Sequence, residues 1–309
     1  MTTIAYAPGT TDSIADITGI RVAHGHDEKV ISGTTVILPE NPVVMGVDVR
    51  GGGPGTRDTP ALDPTCLVDT FHGLTLSGGS VFGLAAADGM TRVLSDRGIG
   101  LMFGPRALPV IPAAILFDLM NGGDKGWDKP PYADLAATLT EGLLDDPDRN
   151  DGAQMGAVGA GHGAIAGGYK GGIGTASFTT PDGLTVAAMI AVNSFGNPTA
   201  KAGHEEAPLG TIDTPKAGLL AGNTTIGVIA TNADLDKAGC QRVAIMAQDG
   251  LARAIRPLHT PYDGDTLFTM ATGQHSSQLL KPAYLTLIGH LAADTAEQAI
   301  ARAIKASNG

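Results

Sequence analysis

Cysteine is nearly absent from this chain: Cys66 and Cys240 are the only two among 309 residues. Two thiols so far apart exclude a disulfide framework and point to a reducing compartment, so a cytoplasmic protein is expected. Aromatic residues are scarce too, at 4%, which leaves close packing to small side chains. Positive charge is in deficit. Lys and Arg number 20 against 31 Asp and Glu, a formal net charge of -11. That balance argues against nucleic acid and anionic membrane as partners, because neither attracts a surface of its own sign. No apolar run approaches the ~18 residues of a membrane span. The opening MTTIAYAPGT has neither the basic nor the apolar region of a secretory signal.

What the chain has in excess is glycine, with 44 residues, about twice the usual share and without a Gly-X-Y period. The β-branched runs Thr34–Leu38 and Val43–Val49 read as strands, followed by the turn Gly51-Gly52-Gly53-Pro54-Gly55. Apolar spacing predicts helices over Ser80–Leu94 and Ala133–Leu144. Ile99–Phe103 and Val110–Leu119 read as strands, the second demoted to an edge or a bulge by Pro112. Strands are expected over Ala157–Lys170, Gly172–Phe178 and Leu184–Asn193. Residues 194–221 are a polar loop of a length that is usually functional or disordered. Directly after it, Thr225–Thr231 is apolar on both faces and is expected to be buried. Helices at Leu235–Ile255 and Pro282–Ala306 flank a last strand, Thr266–Thr272. With no repeat and no linker, the expectation is an α+β chain, layers of sheet covered by helices in one domain over residues 1–309.

The chemistry concentrates at Ala221-Gly222-Asn223-Thr224-Thr225-Ile226-Gly227, where the long loop runs straight into a buried strand. A cut before Thr224 would set a new α-amine beside that residue's own hydroxyl, so one residue would supply both nucleophile and base. A free α-amine titrates at about 7.7–8.0, close to working pH. Read alone, Asn-Thr-Thr is also an ordinary entry from turn to strand.

Further motifs weigh on that choice. Gly222-Asn223-Thr224-Thr225-Ile226, His259-Thr260 and Asp263-Gly264-Asp265-Thr266-Leu267-Phe268 closely resemble the self-processing nylon-oligomer (6-aminohexanoate oligomer) endo-hydrolases. These sit within the wider family of L-aminopeptidase/D-esterases and β-peptidyl aminopeptidases. The likeness extends to Val47-Asp48-Val49-Arg50-Gly51-Gly52, Leu76-Ser77-Gly78-Gly79-Ser80, Tyr169-Lys170-Gly171-Gly172-Ile173-Gly174 and Val192-Asn193, in family order over most of the chain. The resemblance implies a four-layer αββα sandwich, cleaved between Asn223 and Thr224 into an α chain of residues 1–223 and a β chain of residues 224–309. It also implies assembly into a homo-oligomer, a tetramer of αβ units, acting on a small-molecule or oligomeric amide without cofactor or metal.

By position, the resemblance puts the nucleophile on Thr224, a carboxylate pair on Asp263 and Asp265, a lysine on Lys170 and an asparagine on Asn193. The chemistry suits each role. Paired carboxylates can orient the new amine and keep the hydroxyl hydrogen-bonded. The Asn193 amide can donate to an oxyanion, and the Lys170 cation can lower the cost of that anion or keep the nearby amine neutral. Two departures bear on substrate. Phe117 stands where those hydrolases have a substrate-lining tyrosine. Ile111-Pro112-Ala113-Ala114 lacks the glutamate with which the aminopeptidase branch grips a free amine. Both favour internal amides of aliphatic oligoamides. The alternative is an aminopeptidase/D-esterase on small amino-acid amides or β-peptides, with Asp118 or another chain's carboxylate as amine anchor.

Other classes fit less well. For a metal-dependent hydrolase, His24-x-His26 and His259 with Asp263-x-Asp265 offer ligand types but no three-ligand motif. The Gly51–Gly55 turn lacks the Gly-Lys-Ser/Thr ending of a phosphate loop and the helix after it. A non-catalytic scaffold would be expected to have lost Thr224.

Overall fold

The computed structural model describes residues 3–199 and 222–309. Six strands open the chain: β1 (Ala7–Pro8), β2 (Ile20–Asp27), β3 (Ser32–Pro39), β4 (Val44–Val49), β5 (Thr56–Arg57) and β6 (Leu74–Ser77). Helix α1 (Ala85–Asp96), a hairpin of β7 (Leu101–Met102) and β8 (Ala107–Leu108), β9 (Ala113–Ile115) and helix α2 (Tyr132–Asp145) follow. The hairpin β10 (Ile165–Ala166) and β11 (Tyr169–Lys170) leads into β12 (Gly172–Thr179), β13 (Thr185–Asn193) and β14 (Asn197–Pro198). The last stretch holds β15 (Thr224–Ala233), α3 (Lys237–Ala254), β16 (Ile255–Arg256), β17 (Thr266–His275) and α4 (Lys281–Asn308).

The strands gather into two main sheets. One has the order β1-β12-β13-β15-β17-β4, the other β2-β3-β6-β9-β5. Each is mixed: β15 runs parallel to β17, and β6 parallel to β9, among antiparallel neighbours. The period of two sorts the side chains of each strand. In β13, Val186, Ala188, Ile190 and Val192 join Val243, Leu251, Ile288 and Ile300 of α3 and α4 in one apolar cluster. Ala187, Met189 and Ala191 of the same strand join a second cluster with Val22, Ile37, Leu74 and Leu76 from the other sheet. A third cluster sets Val36 and Leu38 of β3 against Met90 of α1 and Tyr132 and Leu139 of α2. The chain is thus an α+β protein whose helices pair on the outer faces of its two sheets.

Helix ends and contacts follow from local chemistry. The Asp236 carboxylate accepts the Gly239 N–H at 2.7 Å and caps α3. Small residues let α3 and α4 touch: a Cβ on Gly250 would fall 2.1 Å from the Ala293 carbonyl oxygen.

Several expectations need correction. Residues 157–170 are not one strand but a 3-10 turn at Gly159–Gly161 and the β10/β11 hairpin. Gly159 and Gly167 take φ of +51° and +55°, which breaks an extended run. Val110–Leu119 shortens to β9, which sits between β6 and β5 and not at an edge. Pro112 lies just ahead of it, where no N–H is needed, and its carbonyl still accepts from Thr75 N–H. Ile99–Phe103 shrinks to β7 of a hairpin outside both sheets. Of the long 194–221 loop, residues 194–199 include β14, which pairs with β16, and 200–221 lie outside the described residues. The strand after it is buried along most of its length, as its two apolar faces required.

Gly250→Leu should force α3 away from α4 and lower stability by about 1–3 kcal/mol or more, read as a fall in the thermal unfolding midpoint. Gly104→Ala, which opens on free space, should leave that midpoint nearly unchanged.

Candidate active site

Parallel pairing assembles the site. Because β15 and β17 run the same way with Ile226 opposite Thr266, the residues just before each strand meet at one sheet end. Asn223 bridges to Asp263 there. On its other side β15 is antiparallel to β13, which puts Asn193 opposite Thr224. Thr224, Asn193, Asp263 and Asp265 are all buried. Thr224, Asn193 and the two aspartates therefore share one site, contributed by three adjacent strands.

The Asn223–Thr224 peptide is held on both sides. The Asn223 carbonyl oxygen accepts the Gly264 N–H at 2.9 Å and the Thr224 hydroxyl at 2.5 Å. The Asn223 N–H donates to the Tyr262 carbonyl at 3.1 Å. A donor is thus aimed at the oxygen of a peptide bond whose neighbouring hydroxyl lies within reach of it.

The hydrogen bonds of the two carboxylates go to residues around Thr224 and not to Thr224 itself. Asp265 accepts the Thr225 N–H at 2.7 Å on one oxygen, and the His259 N–H at 3.1 Å and Nδ1–H at 2.8 Å on the other. Asp263 accepts the Phe195 N–H at 3.1 Å, and the N–H and hydroxyl of Thr260 at 2.8 Å and 2.6 Å. Each buried charge thus gathers three donors, without which its desolvation would be prohibitive. Burial, followed by the neighbouring Asp265 charge, holds the Asp263 carboxyl above its usual range despite those donors. A raised carboxyl pKa makes the ionised form costly to the fold. That cost is absent below the unfolded value and complete once pH rises past the folded one.

Asn193 is engaged at both ends of its amide: Oδ1 accepts the Ile165 N–H at 2.8 Å, and Nδ2 donates to the Phe117 carbonyl at 3.0 Å. Phe117 is half-buried against Gly222, where a Cβ would fall 2.7 Å from its ring. Lys170 is exposed, its backbone clasped by the Asn308 side-chain amide. It lies two residues before Gly172, the partner of Val192, which places its backbone at the same sheet end.

Two substrate arguments made from the sequence fail on burial. Ile111, Ala113 and Ala114 are 0–1% exposed and belong to the core clusters, so their apolar character reflects packing and not a pocket wall. Asp118 is buried, with one oxygen on Ser32 Oγ and the other on the Gly79 N–H, so it is not exposed to a substrate amine.

Sequence reading quoted Gly264, His259 and Thr260 within its motifs but gave them no role in the amidase site, which they frame; it missed the adjacent rings of Phe195 and Tyr262, whose centroids are 5.8 Å apart. The glycine inside Asp263-Gly264-Asp265 was the available signal. A Cβ there would lie 2.7 Å from Thr224 Oγ1 and 2.8 Å from the Gly53 carbonyl oxygen. The Gly51–Pro54 turn packs on the same segment, with Gly53 N–H donating to the Asp263 carbonyl at 2.8 Å.

Comparison with known proteins agrees with this architecture. The sequence profile of peptidase family S58 matches residues 12–309, and the chain belongs to that family. It is 40% identical to an uncharacterized aminopeptidase of Mycobacterium tuberculosis over 298 residues, 85% of this chain and 82% of the relative. A 6-aminohexanoate-oligomer endohydrolase of Paenarthrobacter ureafaciens is 27% identical over 282 residues, 84% of this chain and 74% of that protein. The solved Burkholderia sp. β-aminopeptidase superposes with a TM-score of 0.72 at 22% identity, covering 98% of this chain and 89% of its own. The L-aminopeptidase D-Ala-esterase/amidase of Ochrobactrum anthropi, a variant of the Ntn hydrolase fold, gives 0.69 at 20% identity, covering 99% and 89%. At those identities the two structures speak for the fold alone. The chain is a hydrolase of the peptidase and amidase kind.

Gly264→Ala should fold yet lose on the order of a hundredfold in any reaction of the Thr224 hydroxyl, the loss expected when a nucleophile is displaced by about an ångström. Gly53→Ala, whose Cβ would meet only contacts of 3.8 Å, should not. Rates of amide hydrolysis in the two variants decide.

Proposed function

We propose that this chain matures by cutting itself between Asn223 and Thr224 and then works as an N-terminal threonine amide hydrolase. The observation that carries the reading is the scissile carbonyl held between the Gly264 N–H at 2.9 Å and the Thr224 hydroxyl at 2.5 Å. Thr224 Oγ1 attacks the Asn223 carbonyl carbon, and the Gly264 N–H receives the oxyanion. The C–N bond breaks as the hydroxyl proton passes to the Thr224 nitrogen. The resulting ester takes up water, giving an Asn223 carboxylate and a free Thr224 amine and hydroxyl. The new ammonium arrives one register step from Asp263, where a positive charge relieves the cost of that buried carboxylate.

In turnover the Thr224 amine takes the hydroxyl proton, Oγ1 acylates on a substrate amide, and the amine product leaves with that proton before water releases the acid. Asp263 and Asp265 fix the loop and the Thr225 N–H, and thereby the direction of the amine. Asn193 keeps one amide N–H for the oxyanion, and Lys170 supplies a cation at the same sheet end. The reading takes the three apolar clusters as the interlayers of a four-layer αββα sandwich. It makes residues 1–223 and 224–309 the α and β chains of one catalytic unit, assembled as a homo-oligomer.

The proposed substrates are internal amides of aliphatic oligoamides such as 6-aminohexanoate oligomers. Phe117, Phe195 and Tyr262 give the segments flanking the nucleophile an apolar character, and each CH₂ buried there is worth about 0.8 kcal/mol. The similarity to the 6-aminohexanoate-oligomer endohydrolase supports the same choice. A second reading, an aminopeptidase, is favoured by the name of the 40% identical relatives.

Intact mass should show two fragments of about 22.5 and 8.7 kDa, the 31.2 kDa total shared by length. Thr224→Ala should remain one inactive chain. A wild-type chain that is whole and fully active would overturn the mechanism. For the substrate, one oligomer is compared with free and with acetylated N-termini. Equal turnover is expected, whereas loss of turnover on acetylation would establish the aminopeptidase reading.

A further inference from the structure

The histidines of His24-x-His26 do not form a metal pair, although strand periodicity puts them on one face of β2. His24 is drawn inward, its Nδ1 2.9 Å from Thr35 Oγ1, and burial pulls its pKa down to about 4. His26, at the open end of the strand, has a different neighbour. Its ring stacks on that of His162 with centroids 4.2 Å apart and planes 13° from parallel. Both rings turn Nε2 toward one carboxylate: His26 lies 3.3 Å from Glu28 Oε1, and His162 lies 3.4 Å from Glu28 Oε2. The three ligand atoms all lie within 4.8 Å of one another.

Hydrogen bonding makes this cluster more than a chance meeting of surface groups. His162 Nδ1 sits 3.0 Å from the Ala157 carbonyl oxygen, which can only accept, so the ring donates from Nδ1. The neutral imidazole then presents a bare lone pair at Nε2, facing a carboxylate oxygen that has no proton to give. Such a contact is repulsive unless a cation lies between the two atoms. A single proton on His162 would satisfy that contact, with neutral His26 donating from its own Nε2–H; one divalent ion would instead take all three groups as ligands together. An imidazole held from behind by a backbone carbonyl is also the usual posture of a histidine ligand. Bonds of about 2.0–2.1 Å in a tetrahedron separate neighbouring ligand atoms by about 3.3–3.4 Å, the separation of each histidine Nε2 from its Glu28 oxygen; the two rings, now stacked, would turn apart to aim both lone pairs at one ion. Two imidazoles and one carboxylate suit zinc and its first-row neighbours, whereas calcium and magnesium favour all-oxygen sets.

We propose that His26, Glu28 and His162 form a surface site for a divalent transition-metal ion, with zinc the best match and solvent completing its coordination. The ion would clasp the end of β2 to the segment that leads from the Gly159–Gly161 turn to Ile165. The site shares no residue with the Thr224 centre, and it stands whether or not that centre works as proposed.

The test is a zinc titration of the untagged protein, stripped of metal beforehand and competed against a chromophoric chelator. One ion per chain with micromolar affinity is expected. His26→Ala and His162→Ala should each weaken binding at least tenfold. Glu28→Gln should do the same, and because that side chain is 80% exposed the variant will fold normally. No binding by the wild-type chain, or binding that Glu28→Gln and a His26→Ala/His162→Ala double variant leave undiminished, would overturn the proposal.

Discussion

The parallel pairing of β15 with β17 is the constraint on which the rest of the site depends. Antiparallel neighbours would place the entry of one strand beside the exit of the other. Here both strands enter at the same sheet end, and Asn223 lies beside Asp263. From that single register follow the Gly264 N–H on the Asn223 carbonyl and the Asp265 carboxylate on the Thr225 N–H, while the antiparallel register of β13 on the other side of β15 adds Asn193 across from Thr224. Parallel strands need a long crossover, and α3 with β16 provides it. The helix packed on the outer face of the sheet is therefore also what returns the chain to the right end.

Close approach is the second requirement, and glycine meets it. A side chain on Gly51 would strike the Asp263 carbonyl at 2.2 Å, and one on Gly264 would meet the Thr224 hydroxyl. Two backbone segments and the Thr224 hydroxyl share a space in which only hydrogen fits. The carboxylates fill the remainder as acceptors for six donors from Phe195, Thr225, His259 and Thr260. Bonds to charged acceptors of this kind are worth about 1.5–3 kcal/mol each. They make the loop between α3 and β17 rigid while leaving Asp263 strained toward its neutral form. A buried pair of like charges is a poor foundation for a fold but a good receptor for a new cation.

Much of this was legible before any coordinates. The strand after the long loop announced its burial by being apolar on both faces, and α3 and α4 announced themselves by length and period. Motifs scattered over the chain pointed to Thr224, Asn193, Asp263 and Asp265, and the fold unites those four. What could not be read were partners across space. Nothing local in Ile111–Ala114 distinguishes a pocket wall from a core strand, and the structure makes it core. The donors that occupy Asp263 and Asp265 are largely backbone N–H groups, which leave no trace in residue identity. The break in residues 157–170 depended on which glycines take positive φ. His162 reaches His26 and Glu28 only through tertiary packing, so the His24-x-His26 motif points to just one of the three residues of that cluster.

The central claim is that the Thr224 α-amine, and not the intact chain, is the working group. It is tested most directly by measuring specific activity against the fraction of chains that carry Thr224 as an N-terminus, in samples stopped at successive stages of maturation. The expected result is a straight line through the origin, with the small fragment beginning Thr-Thr-Ile-Gly-Val. Activity that is already complete while Asn223 and Thr224 remain joined, or a mature fragment that begins at another residue, would contradict it.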